Sequence, residues 1–315
     1  MPGNQDILLN KNIAVLIPAL NEEKTIEKVV GDFKTYLPNA AIYVFDNNSD
    51  DHTALKAKKA GAIVKKEVAR GKGNVVRRMF GSVEADVYVL IDGDDTYDAS
   101  ISPVLVSRLI ENDLDMVNTR RVVSGDGAYR RGHILGNQLF STIVRTIFGK
   151  HIKDLLSGYR VFSRQFVKSF PAHSKGFEIE TELTVHCLEM RLPLEEVETN
   201  YVARPVGSES KLSTWKDGFR ISITILKLLL GERPFLSFFI ISICSGILGA
   251  AFGWFQVVLP WIKDGEVIRL PSAILSTGCI IISFLALMSG IIIQYITHVR
   301  RELKRYAYLM DKLND

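Results

Sequence analysis

The segment VLIDGDDTYD, residues 89–98, changes abruptly from an apolar run into a cluster of acids. Four carboxylates, those of Asp92, Asp94, Asp95 and Asp98, lie within seven positions. Carboxylates this close raise one another's pKa unless a positive charge lies among them. The apolar half predicts a buried β-strand, and the acidic half raises the question of which cation it meets.

Short β-rich runs and helical patterns alternate along the sequence that leads to this segment. The predicted strands cover 13–20, 41–46, 62–67 and 87–92, and the predicted helices cover 22–36, 51–60 and 72–84. This alternation predicts an α/β fold with a mostly parallel sheet and right-handed crossovers. Ligands of such sheets bind at the carboxyl ends of the strands. We therefore expect one rim to carry the segments PALNEE, DNNSDD, RGKG and DGDD.

Between residues 114 and 204 the pattern is mixed. We expect a helix near 132–148, a second helix over 178–191 and a strand in EEVETNYVAR. On the second of these helices, Cys187 is predicted to be a packed residue and His186 a surface histidine, and we assign neither of them a chemical role.

The composition changes after Pro234. Hydrophobic residues make up 47% of the 315 residues, the mean hydropathy is +0.13, and the excess is concentrated in the last third. The runs 235–259 and 271–297 carry no charged side chain. Each is longer than the roughly 20 apolar residues that a helix needs to cross a bilayer. We therefore expect two transmembrane helices.

The flanking charges predict the orientation of these helices. Basic residues precede the first run and follow the second, whereas the connection WIKDGEVIRLP carries two bases and two acids. The positive-inside rule then places both ends in the cytoplasm, and the first twelve residues lack a signal-peptide pattern. The sequence predicts a multi-pass protein of the inner (cytoplasmic) membrane, with its first domain and both termini in the cytoplasm.

Four segments follow from these patterns. Residues 1–214 are predicted to form a cytoplasmic α/β domain, 215–232 an amphipathic helix in the membrane interface, 233–298 two transmembrane helices with a short outside loop, and 299–315 a basic cytoplasmic tail.

Two further features concern the membrane part. Gly249 and Gly253 form a small-xxx-small pair that either lets the two spans pack closely or occurs by chance in a Gly-rich span. The net charge of +4 is concentrated beside the membrane, which favours a lipid bilayer over nucleic acid as partner.

Of three interpretations of the acidic segment, the first fails and the second is disfavoured. An EF-hand loop that begins at Asp92 would need an acidic or amide side chain at its fifth position and a glutamate at its twelfth, where the sequence has Thr96 and Pro103. Asp92, Asp94 and Thr96 also spell the D-x-D-x-T of haloacid dehalogenase-type phosphatases. That motif normally lies on the first strand of its fold, whereas three strand–helix units precede it here. A third reading is the D-x-D of nucleotide-sugar glycosyltransferases, with Asp92 directed at the nucleotide and Asp94 at a metal.

Taken together, the motifs resemble glycosyltransferase family 2, with its GT-A (Rossmann-like) fold, and within it the dolichyl-phosphate mannose synthases and bacterial polyprenyl-phosphate glycosyltransferases. The matching segments are VLIPALNEE (15–23), DNNSDDHT (46–53), RGKGNVVRR (70–78), DGDDTYD (92–98), DLLSGYRVFSR (154–164) and RPVGSESKLSTWKDG (204–218). Asn47 and Asn48 depart from the family's pattern, in which an acid and a glycine are usual.

The resemblance implies a metal-dependent hexosyltransferase that uses Mg²⁺ or Mn²⁺. It implies inverting transfer of a sugar from an NDP-sugar (UDP- or GDP-) to polyprenyl phosphate, such as undecaprenyl phosphate, at the cytoplasmic membrane face. The product would be a polyprenyl-phosphate sugar for cell-envelope glycan modification. Transfer to another lipid or to a growing glycan is the alternative within the family, and a catalytically silent membrane scaffold is the alternative outside it. A homo-oligomer is left open.

The resemblance also implies roles for individual residues. The nucleotide-sugar site would comprise Pro18, Ala19, Asn21, Glu22, Asp46, Gly71, Lys72 and Asp92, and the metal ligands would be Asp94 and Asp95. The catalytic set would add phosphate-holding cations to Asp92 and Asp94, namely Arg120, Arg131, Arg204 and Lys211. The residues that position the acceptor would be Ser157, Gly158, Arg160, Glu178, Glu180 and Ser210.

Overall fold

The computed structural model describes residues 11–123, 152–205, 234–265 and 269–313. The chain divides into two compact units, Met1–Ile225 together with Lys304–Asp315, and Leu226–Leu303. The predicted segment boundaries at 214 and 232 lie outside the described residues, as does the predicted interfacial helix between them. These boundaries and this helix stay predictions.

The first unit is built on strands that alternate with helices. The strands are β1 (Ile13–Ala19), β2 (Ala41–Asp46), β3 (Ile63–Lys66), β4 (Val87–Leu90), β5 (Met116–Val123), β6 (Arg160–Ser163) and β7 (Leu194–Tyr201). The helices are α1 (Ile26–Tyr36), α2 (Thr53–Lys59), α3 (Lys72–Ser82), α4 (Ser102–Glu111), α5 (Arg164–Ser169) and α6 (Ile179–Glu189). The predicted helix near 132–148 lies outside the described residues.

Within the described ranges the strands form one sheet in the order β3-β2-β1-β4-β6-β5-β7. The first four strands are parallel, as the alternation predicts. β6 runs antiparallel between β4 and β5, and β7 is parallel to β5. The sheet is therefore mixed but mostly parallel, which confirms the predicted fold class.

Burial explains why the apolar runs become strands. Every residue of β4 is buried, because helices cover both faces of the sheet, and such a strand is apolar throughout rather than alternating. On one face, Ile26, Val29, Val30 and Phe33 of α1 pack against the sheet at helical spacing. A second apolar cluster, which includes residues of α3, α5 and α6, covers the other face.

The prediction of a surface histidine at position 186 is wrong. His186 is buried on α6, and its Nε2 lies 3.2 Å from Ser169 Oγ. All residues from Ile179 to Leu188 are buried, so this helix has no solvent-facing stripe. The polar residues of this helix therefore do not indicate which of its side chains face solvent. Burial also lowers the pKa of His186 to about 3.

The second unit contains one long apolar helical stretch and most of another, whose residues from Lys304 onward belong to the first unit. α7 (Pro234–Gly253) continues through a π-helical turn at Trp254–Val258 into α8 (Leu259–Asp264), and α9 begins at Leu270 and ends at Leu313. By length and composition, Phe235–Asp264 and Leu270–Met310 could each cross a membrane. Gly249 lies against Cys279 and Ile280, and Gly253 against Ser276. The small residues thus lie where α7 and α9 touch, as one of the two interpretations of this pair expects.

Candidate active site

The carboxyl ends of the parallel strands meet at a cavity of about 200 Å³. The strands are in register there, since Ala19 lies opposite Asp46 and Leu16 opposite Leu90. The loops that follow β1, β2 and β4 therefore share one rim, as predicted. The predicted site residues that line this cavity are Pro18, Ala19, Glu22, Gly71, Lys72, Asp92, Asp94 and Arg204.

Asp92 belongs to a group of three charges, of which the other two are buried. Lys72, the first residue of α3, forms an ion pair with the Asp92 carboxylate, and its Nζ also lies 2.6 Å from Glu180 Oε1. The exposed fraction is 8% for the Lys72 side chain and 7% for that of Glu180. The structure thus joins α3, the end of β4 and α6 through one ammonium group.

Gly158 forms the wall behind Asp92. A Cβ atom added to Gly158 would overlap the Asp92 carboxylate, so a side chain at this position would push the acid out of place. The backbone N–H of Gly158 donates to the Tyr97 hydroxyl at 2.8 Å. The SGYR segment therefore contributes a close backbone approach to Asp92, which explains why a glycine stands there.

The two oxygens of Asp94 have different partners. Oδ1 accepts hydrogen bonds from the Thr96 hydroxyl at 2.6 Å and the Thr96 N–H at 3.3 Å. Oδ2 lies 2.6 Å from Arg204 Nη2. The other terminal nitrogen of Arg204 is 3.9 Å from Glu22 Oε1. Thr96, which completes the phosphatase-like D-x-D-x-T pattern, thus orients the carboxylate of Asp94.

The segment that follows β7 delivers Arg204 to this position. Val202 N–H donates to Thr96 O at 3.0 Å, and the rings of Tyr201 and Tyr97 pack edge to face with centroids 5.1 Å apart. The chain after β7 is thereby tied to the chain after β4, and Arg204 lies beside Asp94 although the two are far apart in sequence.

Burial and neighbouring charge shift the pKa values of this site. Burial acts to lower the pKa of Lys72, but Asp92 and Glu180 outweigh it, and the pKa is raised. Burial raises the pKa of Glu180 in spite of its ion pair. Burial, and then the charge of Asp92, raise the pKa of Asp94. The carboxylates therefore lie where a cation is strongly favoured.

Asn47, which sequence reasoning treated only as a departure from the family pattern, organises the loop that carries Lys72. Its Oδ1 accepts from Gly71 N at 2.7 Å, and its Nδ2 donates to Glu67 O at 3.0 Å and Ala69 O at 2.8 Å. Gly71 has a φ of 122°, which favours glycine.

Asn47 also lines the cavity, as does Phe177, whose ring lies 6.0 Å from Lys72 Nζ. The role of Asn47 could have been predicted, because an amide side chain directly after β2 can bind the backbone of the RGKG loop. Nothing in the sequence indicated that Phe177 lines the cavity.

Three predicted residues of the rim bind neighbouring protein segments. Asn21 Oδ1 accepts from the backbone N–H of residue 50 at 2.8 Å, and the buried Asp46 accepts from that of residue 49 at 3.3 Å. Asp95 has a φ of 58°, and its Oδ1 lies 2.5 Å from Lys28 Nζ on α1. The contacts predicted for these residues with nucleotide, base and metal stay predictions.

The predicted acceptor residues are distributed around the DLLSG loop and the start of α6. Arg160 is fully buried and donates to Ser157 O at 3.0 Å and Leu155 O at 2.8 Å. Ser157 Oγ lies 2.8 Å from Thr119 Oγ1, so both residues fix the shape of the loop. Glu178 lies at the N-cap position of α6.

The remaining predicted residues, three cations and one serine, lie on β5 or outside the described residues. Arg120 Nη1 donates to Glu198 Oε1 at 2.9 Å, and both side chains are well exposed. Arg131, Ser210 and Lys211 fall in the ranges that the structure does not describe. The roles predicted for all four stay predictions.

Comparisons with known proteins agree with this geometry. Residues 14–170 match the family model "Glycosyl transferase family 2". The "Protein RfbJ" of Shigella flexneri is 58% identical over 123 residues, which cover 39% of this chain and 95% of that protein. The "Glycosyltransferase AglJ" of Haloferax volcanii is 30% identical over 294 residues, which cover 92% of this chain and 95% of that protein. The "Dolichyl-phosphate hexose transferase" of the same organism is 28% identical over 222 residues, which cover 70% and 96%.

Solved structures support the fold. The crystal structure of glucosyl-3-phosphoglycerate synthase from Mycobacterium tuberculosis has a TM-score of 0.58 and 24% identity, and covers 73% of this chain and 83% of that one. The same enzyme was also crystallised with Mn²⁺, UDP and glucosyl-3-phosphoglycerate. Since the motifs meet on one rim and a named glycosyltransferase aligns over nearly the whole chain, the resemblance seen in the sequence is confirmed: the chain is an enzyme of glycosyltransferase family 2.

Proposed function

We propose that this enzyme transfers a sugar, with inversion, from a nucleoside diphosphate sugar to a polyprenyl phosphate at the cytoplasmic face of the membrane, with Mg²⁺ or Mn²⁺ as cofactor. The observation that carries the proposal is the cavity in which Asp92 and Asp94 meet Lys72 and Arg204. Carboxylates for a metal and cations for phosphates are the groups that diphosphate chemistry requires.

Two further observations support a lipid phosphate as acceptor. One relative is named for the transfer of hexose to dolichyl phosphate. The helices of the second unit are long and apolar enough to cross a membrane, and membrane attachment would hold the enzyme at the surface in which a prenyl chain is dissolved. The basic residues that flank those helices support the proposed cytoplasmic orientation.

The donor atoms at Asp94 and Asp92 fit the expected metal. Among the residues that the structure describes, no group of three or more His, Cys, Asp or Glu side chains is arranged to hold a metal ion. Mg²⁺ is commonly bound by one or two carboxylates together with substrate phosphates and water, and such a small set is what the cavity offers. A metal bound there would offset the negative charge of the departing diphosphate.

The chain's own residues bind and orient the reactants. The phosphate group of the acceptor has a second pKa near 6, so it is largely a dianion at pH 7. One of its oxygens forms the new bond to the anomeric carbon as the bond from that carbon to the diphosphate breaks, and the nucleoside diphosphate leaves. Because the attacking oxygen is already anionic, no proton has to be removed. Lys72, held between two carboxylates, offers a positive charge at a fixed position, and such preorganised charge stabilises developing negative charge.

The test is transfer of radiolabelled sugar to lipid. Membranes that contain the full chain are incubated with undecaprenyl phosphate and a panel of UDP- and GDP-sugars, and the label in the organic phase is counted. Asp94→Asn should abolish transfer. Asp98→Asn is the matched control, because it removes the same charge from a carboxylate that accepts from Ser100 N–H at 2.9 Å. Wild-type transfer by Asp94→Asn would refute its proposed role, and label that reaches only a glycan or another lipid would refute the acceptor.

A further inference from the structure

Arg204 holds the oxygen of Asp94 that a metal ligand would need. Oδ2 pairs with the guanidinium at 2.6 Å, and Oδ1 is engaged by both the hydroxyl and the N–H of Thr96. The Asp94 side chain is 5% exposed, so water can hardly replace either partner. A divalent cation that binds Asp94 through Oδ2 would lie beside the Arg204 guanidinium, and the repulsion between the two positive charges disfavours binding of both at once.

The two cations of the cavity differ in how easily they can leave. Lys72 is 8% exposed and is paired with two carboxylates. Arg204 is 25% exposed, and its terminal nitrogens lie 2.6 Å from Asp94 and 3.9 Å from Glu22. Val202, two residues before Arg204, is anchored through its N–H to Thr96 O, and the arginine side chain has enough rotatable bonds to reorient while that anchor is kept.

We propose that Arg204 and the divalent cation compete for Asp94, so that the metal enters together with the nucleoside diphosphate. The diphosphate brings oxygen ligands for the metal and, in the same step, offers phosphate oxygens to the displaced guanidinium. This inference rests on the proposed function and adds to it an order of events: Arg204 becomes available to phosphate oxygens once the donor has bound.

The same exchange explains why the buried Asp94 is paired with the partly exposed Arg204. Removing one member of a buried ion pair leaves an uncompensated charge, which is strongly unfavourable. If one cation replaces another at Asp94, the carboxylate is never left alone. Arg is suited to this exchange, because its planar group binds carboxylate and phosphate with the same fork geometry.

The experiment measures binding of Mn²⁺ alone, without sugar or acceptor. The full chain is purified in lipid nanodiscs and titrated with MnCl₂, and free Mn²⁺ is followed by electron paramagnetic resonance. Arg204→Met should bind Mn²⁺ roughly tenfold more tightly than the wild type, because a charge-assisted hydrogen bond no longer has to be broken. Arg204→Gln removes the charge but keeps an N–H donor, and serves as a second variant if the first does not fold.

A matched control separates competition from a general change in charge. Arg70→Met also removes one positive charge, but Arg70 is exposed, pairs with Asp50 at 3.4 Å and precedes Gly71 of the cavity lining. Its Mn²⁺ affinity should stay within about twofold of the wild type, since exposed charges are well screened. An equal rise in both variants, or no rise in Arg204→Met, would overturn the competition.

Addition of UDP or GDP distinguishes this inference from the proposed function. If the wild type binds Mn²⁺ with nucleotide present, but without nucleotide the Arg204 variants bind Mn²⁺ no more tightly than the wild type does, the competition is refuted while the metal-dependent function stands. If none of the proteins binds Mn²⁺ with either nucleotide, both are refuted. The expected result is that nucleotide strengthens Mn²⁺ binding more in the wild type than in Arg204→Met.

Discussion

The cavity has two walls that hold their carboxylates in different ways. On the first wall, Asp92 and Lys72 line the cavity. Glu180 and Gly158 lie behind them: the Lys72 ammonium group is enclosed by Asp92 and Glu180, and the backbone of Gly158 packs directly against Asp92. On the other wall, Asp94 faces Arg204, which is partly exposed and reaches it from the end of β7. The first wall has little room for movement, whereas the second can exchange its partner.

The contrast suggests a division of labour in the site. A fixed charge at Lys72 defines where the substrate phosphates lie, because a group held from two sides needs no reorganisation when they bind. An exchangeable charge at Arg204 lets a metal bind Asp94 without leaving the acid unpaired. Changes to the first wall should therefore damage folding and activity together, and changes to the second should mainly alter binding.

Lys72→Met should have the largest effect, because it leaves Glu180 buried without its cation. Loss of one partner of a buried ion pair typically costs about 3–5 kcal/mol of unfolding free energy. Chemical denaturation of the purified chain measures the loss, and transfer should fall with it. Lys72→Met combined with Glu180→Gln should recover part of the stability, and a double variant no more stable than Lys72→Met would contradict the pairing.

The deficit of Lys72→Met should also depend on pH. Burial already raises the pKa of Glu180 above its ordinary value of 4.5, and loss of the ammonium group raises it further. A group whose folded pKa is raised favours the folded state when it is protonated. The deficit should therefore be small below about pH 4.5 and grow as the pH rises through the raised pKa. A deficit that is constant over this range would mean that Glu180 is not the destabilising group.

Gly158→Ala should come next, because its methyl group would overlap the Asp92 carboxylate. We expect transfer to fall by roughly a hundredfold, since misplacement of a reacting group by about 1 Å has effects of this size. Gly81→Ala is the matched control, because it lies on α3 and a Cβ there meets no atom within 4 Å. Equal losses in the two variants would show that the close approach to Asp92 is unimportant.

Much of this architecture follows from local sequence patterns, but its pairings do not. The strands and rim segments were predictable, because apolar periodicity and turn residues act over a few positions. The pairing of Asp94 with Arg204 depends on how Tyr201 packs on Tyr97, and no local pattern encodes that contact. The family resemblance implied a metal role for Asp95 beside Asp94, and that role stays a prediction. No local pattern indicated that Asp95, with its left-handed backbone at a φ of 58°, pairs with Lys28.

Arg204→Ala should have a smaller effect than the changes to the first wall, because Arg204 is partly exposed and its partner can bind a metal instead. We expect the KM for polyprenyl phosphate to rise roughly tenfold, as for loss of one charge-assisted hydrogen bond. Nucleotide affinity in the presence of Mg²⁺, measured by calorimetry, should change less, because the contact that Arg204 gains with the diphosphate is offset by the pair that it loses with Asp94. If nucleotide affinity collapses while the KM for the acceptor is unaffected, Arg204 serves the donor and not the acceptor.

Lys28→Met should have the smallest effect. It tests whether Asp95, like Asp94 on the second wall, can exchange its basic partner for a metal ion. Lys28 pairs with Asp95 at 2.5 Å, but its side chain is 61% exposed, and exposed ion pairs contribute about 0–1 kcal/mol. The unfolding free energy and the affinity for Mn²⁺ alone should both stay close to those of the wild type. If Mn²⁺ binds Lys28→Met as tightly as it binds Arg204→Met, then Asp95 is a second metal ligand, and both acids exchange a basic side chain for the metal.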